Sequence, residues 1–449
     1  MHCVVTSPPY WGLRDYQTPS LVWGGETGCS HSWRRASYQR RSSDSGKSEK
    51  QGSNVGANNR DVPVRYSTCA RCGAWRGHLG LEPTPDLYVQ HLVEIFREVR
   101  RVLRDDGTVW LNMGDSYAGS GVNDGVTSPG LSKAAQRGDV KRRRPRSSRA
   151  DGVVKAGSPR FRDGTATPPG LKPKDLVGIP WRVAFALQAD GWYLRSDVIW
   201  SKPNSMPESV TDRPTRSHEY VFLLSKMERY YYDADAIREL HSSNFGRPLM
   251  LWSERPNNGA ESMKSYPPGN TTMGFHENGR NRRSVWSIPT QPYPAAHFAT
   301  FPEALVERCI KAMTSEKGCC VLCGVPWVRV VAKTPMVIRR STRTHSLGRT
   351  RSSGIVLKLN QLKHMGWRPS CVCGKLNPVP CVVLDQFIGS GTVAVVAERL
   401  GRSWIGIDLS DKYASLAWTR IKLARRGKRV SKDEVQDCQY LNQSLLFGG

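Results

Sequence analysis

The chain has 449 residues, with 66 Lys and Arg against 39 Asp and Glu, a formal net charge of +27. That excess fits a polyanionic partner, nucleic acid first among them, and the length suffices for one large α/β domain with insertions or for two smaller ones. No stretch reaches the length of a membrane span, and MHCVVTSPPYWG lacks the pattern of a secretory leader; the expectations are therefore no membrane and a cytoplasmic location, where 12 cysteines need a role other than disulfides.

In chain order, residues 2–6 read as a short buried strand ending in a Pro-Pro turn. Thr84 caps a helix that has Pro85 at its first position, and Leu92, Phe96, Val99 and Leu103 recur through it at helical spacing. Asp105, Asp106 and Gly107 then turn the chain into a β-rich stretch, 108–113. Helix is expected over 181–190, strands over 193–200 and 219–225, and helix over 302–313. A strand over 382–384, a helix over 392–400 and a strand over 404–407 complete the pattern. Such alternation predicts an α/β fold with a largely parallel sheet covered on both faces. The polar, Gly/Ser/Arg-rich stretches 34–66, 118–170, 240–283 and 333–360 read as loops or insertions.

Two segments carry chemistry. In 381–413 a strand runs into a Gly-rich turn that opens a helix, and the next strand ends in Asp408. Gly389 and Gly391 permit tight backbone geometry and close ligand approach, and an acidic side chain at Asp408 can accept hydrogen bonds from ribose hydroxyls. No Gly-Lys-Ser/Thr follows and the full Gly-x-Gly-x-x-Gly is missing, so a nucleoside ligand without a pyrophosphate fits better than a nucleotide. The second segment is Thr6-Ser7-Pro8-Pro9-Tyr10. An exocyclic base amine is a poor nucleophile, because its lone pair is delocalised into the ring. Ser7 Oγ and the Pro8 carbonyl can accept its two protons, Pro8 and Pro9 stiffen the turn, and Tyr10 can stack on a base taken out of the helix. Taken alone, the motif also reads as a rigid turn with a packed tyrosine.

These motifs, in this order, resemble the β group of DNA amino-methyltransferases. That family carries an (S/N/D)PP(Y/F) motif near the N-terminus and an FxGxG cofactor motif near the C-terminus; here they are Ser7-Pro8-Pro9-Tyr10 and Phe387-Ile388-Gly389-Ser390-Gly391. His297-Phe298-Ala299-Thr300-Phe301-Pro302 resembles the family's third cofactor motif. The resemblance implies a Rossmann-like, S-adenosylmethionine-dependent methyltransferase fold with a mixed, mostly parallel seven-stranded sheet. It implies S-adenosylmethionine bound by Asp385, Phe387, Gly389, Ser390, Gly391, Thr392, Asp408, Phe301 and Pro302. The implied substrate is double-stranded DNA, and the implied biological partner is a separate restriction endonuclease. A serine at the first catalytic position resembles the N4-cytosine subgroup, with N6-adenine as the alternative. Gln386 and Ile388 stand where the family usually has Pro and Ala, which puts Ile388 near the ligand. The chain starts almost at the catalytic strand, without the family's upstream Gly-Asp-x-x-x-x-L element; an inactive DNA-binding remnant is the rival expectation.

Cys29, His31, Cys69 and Cys72 form one set of paired soft ligands, and Cys320, Cys323, Cys371 and Cys373 a second. Short paired spacings joined by long loops suit structural zinc that staples an insertion with little core of its own. The basic runs 141–146 and 339–351 are placed to neutralise DNA phosphates. The expected organisation is one methyltransferase domain over 1–427 and a tail over 428–449. Its catalytic half spans 1–235, with insertions at about 17–79 and 118–170, and a target-recognition segment covers about 236–290. The cofactor half, 291–427, holds a cysteine-containing insertion at about 316–378.

Overall fold

The computed structural model describes residues 1–38 (Arg14 and Gln17 apart), 64–118, 170–239, 274–291 (277 and 278 apart), 300–339 and 356–427. The basic run 141–146, positions 340–351 of the second run, residues 297–299 of the third cofactor motif, the tail 428–449 and most of the recognition segment lie outside them.

Seven strands form the central sheet: β1 (Cys3–Thr6), β2 (Thr108–Met113), β3 (Tyr193–Ser201), β4 (His218–Ser225), β5 (Val285–Ser287), β6 (Val382–Asp385) and β7 (Ser403–Gly406). Their order is β5-β3-β4-β2-β1-β6-β7. Only β4 runs against its neighbours, being antiparallel to both β2 and β3, so the sheet is mixed and mostly parallel as expected. The strand boundaries fall within a residue or two of those read from the sequence. The exception is β5, which brings the end of the expected recognition segment into the sheet edge beside β3.

Side chains of the central strands alternate between two cores. Cys3 and Val5 of β1 join the apolar residues of α3 (Glu303–Met313) and α4 (Thr392–Arg399) on one face. Val4 faces α1 (Pro85–Val102) and α2 (Ile179–Ala189) on the other. A strand buried on both faces needs an unbroken apolar run, and β1 is buried at all four positions. The start of α1 follows from its cap: Thr84 Oγ1 accepts from Leu87 N, and Pro85 opens the helix. Among the described residues, no helix is long and apolar enough to cross a membrane.

Three stretches expected as loops contain strands, one of them 240–283, where Gly274–His276 pairs parallel with Asn360–Leu362. Trp33–Tyr38 pairs antiparallel with Val64–Cys69 in a four-stranded sheet that also holds Leu21–Trp23 and Trp75–Gly77. Arg34, Arg35, Ala36 and Ser37 are exposed there, so the strand buries too little on either face to show an apolar period. Val328–Arg339 pairs with Val356–Arg368 as a long antiparallel hairpin, and its Arg/Ser-rich centre hid the flanking strands.

Candidate active site

Both motif turns leave the same edge of the sheet. β1 and β6 are parallel neighbours, with Cys3 opposite Val383 and Val4 opposite Leu384, so the catalytic and cofactor turns emerge side by side at the carboxyl ends of adjacent strands. Open α/β sheets bind their ligands at this kind of edge. One side-chain bond joins the two turns: Thr6 Oγ1 donates to Asp385 Oδ1 at 2.7 Å. The same oxygen accepts from Phe387 N at 3.1 Å. Burial pushes the Asp385 carboxyl up to about 7, against the pull of those two hydrogen bonds. Its Oδ2 is buried and has no partner among the described residues, an open acceptor beside the turn.

The cofactor turn is built by its own short segment. Gly389 and Gly391 have φ of +50° and +79°, and a Cβ on Gly391 would stand 3.0 Å from Ala417 Cβ on α5 (Asp411–Arg425). Glycine is needed at Gly391 for conformation and for space alike. Asp408 closes the turn, its Oδ2 accepting from Gly389 N at 3.0 Å and its Oδ1 from Ser410 N at 2.9 Å; burial raises its pKa. The Ser390 and Thr392 side chains turn under the loop to Arg420 Nη1, at 3.2 and 2.9 Å. Arg420 also binds Glu303 Oε1 at 2.8 Å, which ties the turn to the start of α3, where Pro302 is the N-cap and Phe301 packs on the core. Ile388 does not crowd the ligand side. It is 8% exposed, sits in the apolar core and packs on Gly406, where an added Cβ would meet it at 2.8 Å.

The catalytic turn, by contrast, is assembled from distant residues. Tyr88 Oη donates to the Pro9 carbonyl at 2.7 Å. Trp11 Nε1 donates to the Glu82 carbonyl at 3.0 Å, and Gly12 N to the Gly80 carbonyl at 2.8 Å. The Tyr10 ring lies on the backbone of Gly114, where a Cβ would stand 2.6 Å from the ring. Tyr10 Oη donates to Glu219 Oε2 at 2.7 Å and receives Asn112 Nδ2 at 2.8 Å. Ser7 Oγ donates to Tyr10 Oη at 3.3 Å. Lys202 Nζ pairs with the other oxygen of Glu219, and Asn112 Oδ1 is buried with no partner among the described residues. Burial, followed by the charge of Glu219, holds the Tyr10 hydroxyl well above the ordinary phenol range. Asn112, Lys202 and Glu219 escape a motif reading because each lies at or next to an end of a different strand, Asn112 and Lys202 at the carboxyl ends of β2 and β3 and Glu219 at the start of the antiparallel β4. A polar residue at the end of an apolar run was the only sign of them.

Both cysteine sets converge. The ligand atoms of Cys29, His31, Cys69 and Cys72 lie within 4.8 Å of one another, as do those of Cys320, Cys323, Cys371 and Cys373. Tetrahedral sulfur ligands about 2.3 Å from zinc stand roughly 3.8 Å apart, and Cys29 Sγ is 4.0 Å from Cys69 Sγ. The first module rests on α1 through Trp23 and Trp75, which lie 4.5 and 5.0 Å from the His91 ring. The second reaches the catalytic strand: His2 Nε2 lies 2.8 Å from the Gly324 carbonyl, and Arg104 Nη1 donates to the Cys323 carbonyl at 2.6 Å.

Comparison with known proteins agrees with this construction. The family model described as DNA methylase (N6_N4_Mtase) matches residues 1–322 and 381–418. The type II methyltransferase M.SmaI of Serratia marcescens is 34% identical over 94% of this chain and 85% of its own length. M.Cfr9I of Citrobacter freundii is 33% identical over 94% and 81%. Among solved structures, the PvuII DNA methyltransferase (cytosine-N4-specific) aligns with a TM-score of 0.39 and 14% identity, over 79% of this chain and 77% of that one. The match to the family model and to relatives across nearly the whole chain places it plainly: the chain belongs to the DNA methylase family, the S-adenosylmethionine-dependent amino-methyltransferases of DNA.

Proposed function

We propose that this enzyme methylates the exocyclic N4 amine of a cytosine within a specific duplex DNA site. The observation that carries the reading is the Thr6–Asp385 bond, which fixes the Ser-Pro-Pro-Tyr turn against the glycine turn. Support for cytosine over adenine comes from Ser7 at the first catalytic position, where serine resembles the N4-cytosine subgroup.

S-adenosylmethionine fits the cofactor edge: Asp385 offers an unpartnered buried oxygen, and a Cβ on Gly389 would meet only the Phe387 carbonyl, at 3.7 Å, which leaves room beside the turn backbone. Asp385, Phe387, residues 389–392, Asp408, Phe301 and Pro302 would hold it. Bound there, it supplies an electrophilic methyl group on a sulfonium. Ser7 Oγ and the Pro8 carbonyl accept the amine protons and aim the lone pair, while Tyr10 stacks on the extruded base. Positioning of this kind supplies most of the rate, because the leaving group is already good. The basic runs 141–146 and 339–351 contact phosphates, and target choice lies in the segment at about 236–290. We further propose that each cysteine set holds one structural zinc, and that the enzyme works in the cytoplasm as the protecting partner of a separate restriction endonuclease.

The test is transfer of labelled methyl from S-adenosylmethionine to mixed-sequence duplex DNA, followed by nucleoside analysis. N4-methylcytosine is the expected product. N6-methyladenine would overturn the base assignment and keep the fold and mechanism, whereas a chain that binds DNA and methylates nothing is the inactive remnant. Elemental analysis of the purified protein should return two zinc ions per chain.

A further inference from the structure

Methyl transfer to an amine leaves a proton to be disposed of, and the turn that orients the amine is wired to a carboxylate. We propose that Glu219 is the terminal proton acceptor of the reaction, reached from the amine through the hydroxyls of Ser7 and Tyr10. This deepens the methyl-transfer reading above and rests on it.

The geometry supplies every link inside the protein. Ser7 Oγ donates to Tyr10 Oη at 3.3 Å, and Tyr10 Oη donates to Glu219 Oε2 at 2.7 Å. Both hydroxyls thus point their protons away from the amine site and toward the carboxylate. Lys202 Nζ engages Oε1, which leaves Oε2 for Tyr10. Asn112 Nδ2 lies 2.8 Å from Tyr10 Oη and 3.0 Å from Glu219 Oε2, clamping the last link. Burial and the adjacent carboxylate charge keep the Tyr10 hydroxyl protonated, so it passes a proton along rather than storing charge. The residues come from four places in the sheet: the turn after β1, β2, the residue following β3, and the start of β4.

The step balances. The amine lone pair forms the N–C bond, and the electron pair of the broken C–S bond stays on sulfur, leaving one excess proton on the methylated amine. That proton passes to Ser7 Oγ as the Ser7 proton passes to Tyr10 Oη and the Tyr10 proton passes to Glu219 Oε2. Both hydroxyls finish neutral and Glu219 finishes as a carboxylic acid. Its side chain retains 16% exposure, from which the proton returns to water. Glu219 is a positioning and relay residue and does not touch the base.

Single-turnover methyl transfer to duplex DNA, with cofactor affinity measured in parallel, tests the relay. Glu219→Gln keeps the shape but cannot take the proton, and Tyr10→Phe keeps the ring but cuts the wire. Each should lower the transfer rate by about 100-fold with cofactor affinity unchanged. Added acetate should restore part of the rate to Glu219→Ala, where it can enter beside Tyr10, and none to Tyr10→Phe. A rate within about threefold of the parent for Glu219→Gln or Tyr10→Phe overturns the relay. So does a loss in Glu219→Ala that acetate does not relieve, or one matched by lost cofactor affinity, since Glu219 would then be only a prop for the turn. A parent enzyme that methylates no base defeats the methyl-transfer reading and the relay with it.

Discussion

The two turns at the carboxyl edge of the sheet are built on opposite principles. The cofactor turn draws its geometry from its own neighbourhood: two glycines at positive φ, an aspartate at the end of the next strand, and α5 packed against Gly391. The catalytic turn has only four residues of its own and borrows the rest from β2, β4, the end of β3 and the segment before α1. On the proposed assignment, cofactor binding is thus largely a local property of the chain, and amine activation a property of the assembled sheet. Damage at a distance should therefore reach turnover before it reaches cofactor affinity.

Mutations sharpen that contrast. Ser7→Ala should cost about 100- to 1000-fold in turnover while cofactor affinity, read by calorimetry, stays within about twofold; an equal loss of both would dissolve the distinction. Gly391→Ala reverses the pattern. Its φ of +79° and the 3.0 Å approach to Ala417 predict a loss of about 1–3 kcal/mol in stability and at least tenfold weaker cofactor binding, with the residual transfer rate at saturation close to the parent's. Chelation of the first cysteine module, or Cys72→Ser, should lower Tm by several degrees. It should also slow transfer more than it weakens the cofactor, because that module leans on α1 beside the catalytic turn.

The smallest effect concerns Asp385. Its carboxyl is raised to about 7 in the folded chain against an ordinary 3.8, so between those values the folded chain binds a proton that the unfolded chain has released. The stability this group contributes is full below about pH 4 and is lost as pH rises through about 7. Asp385→Asn keeps an oxygen acceptor for Thr6 and Phe387 without that loss. The Tm gap between parent and variant should therefore move in the variant's favour from pH 5 to pH 8, which thermal melts at the two pH values would show.

How much of this was legible beforehand follows from the same contrast. Strand, turn and helix around the cofactor could be read because Gly389, Gly391 and Asp408 lie within 20 residues of one another, inside a single repeat of the α/β pattern. The eight zinc-type ligands could be paired because their spacings are short. Asn112, Lys202 and Glu219 could not be placed, since each ends or begins a strand whose apolar pattern says nothing about which neighbour it meets. Arg420 stayed hidden for a related reason: it lies on a helix of ordinary charge pattern, and its bonds to Ser390, Thr392 and Glu303 exist only once α3, α4 and α5 are packed. The small sheet around Trp33–Tyr38 was invisible because its exposed residues carry no apolar period.

The pairing of β1 with β6 also acts as a ruler. Neighbouring parallel strands can only be offset in whole residues, about 3.3 Å at a time, and a one-residue slip from the register that sets Val4 opposite Leu384 would move Thr6 by that distance relative to Asp385 and exchange the two buried faces of β1. On the proposed site, the gap between methyl donor and acceptor is therefore set in whole-residue steps by strand register, with the Thr6–Asp385 bond as its index mark. Sequence drift can reshape the loops on either side of this edge without changing the reach of the reaction, whereas one residue inserted into β1 or β6 would put the two turns out of range.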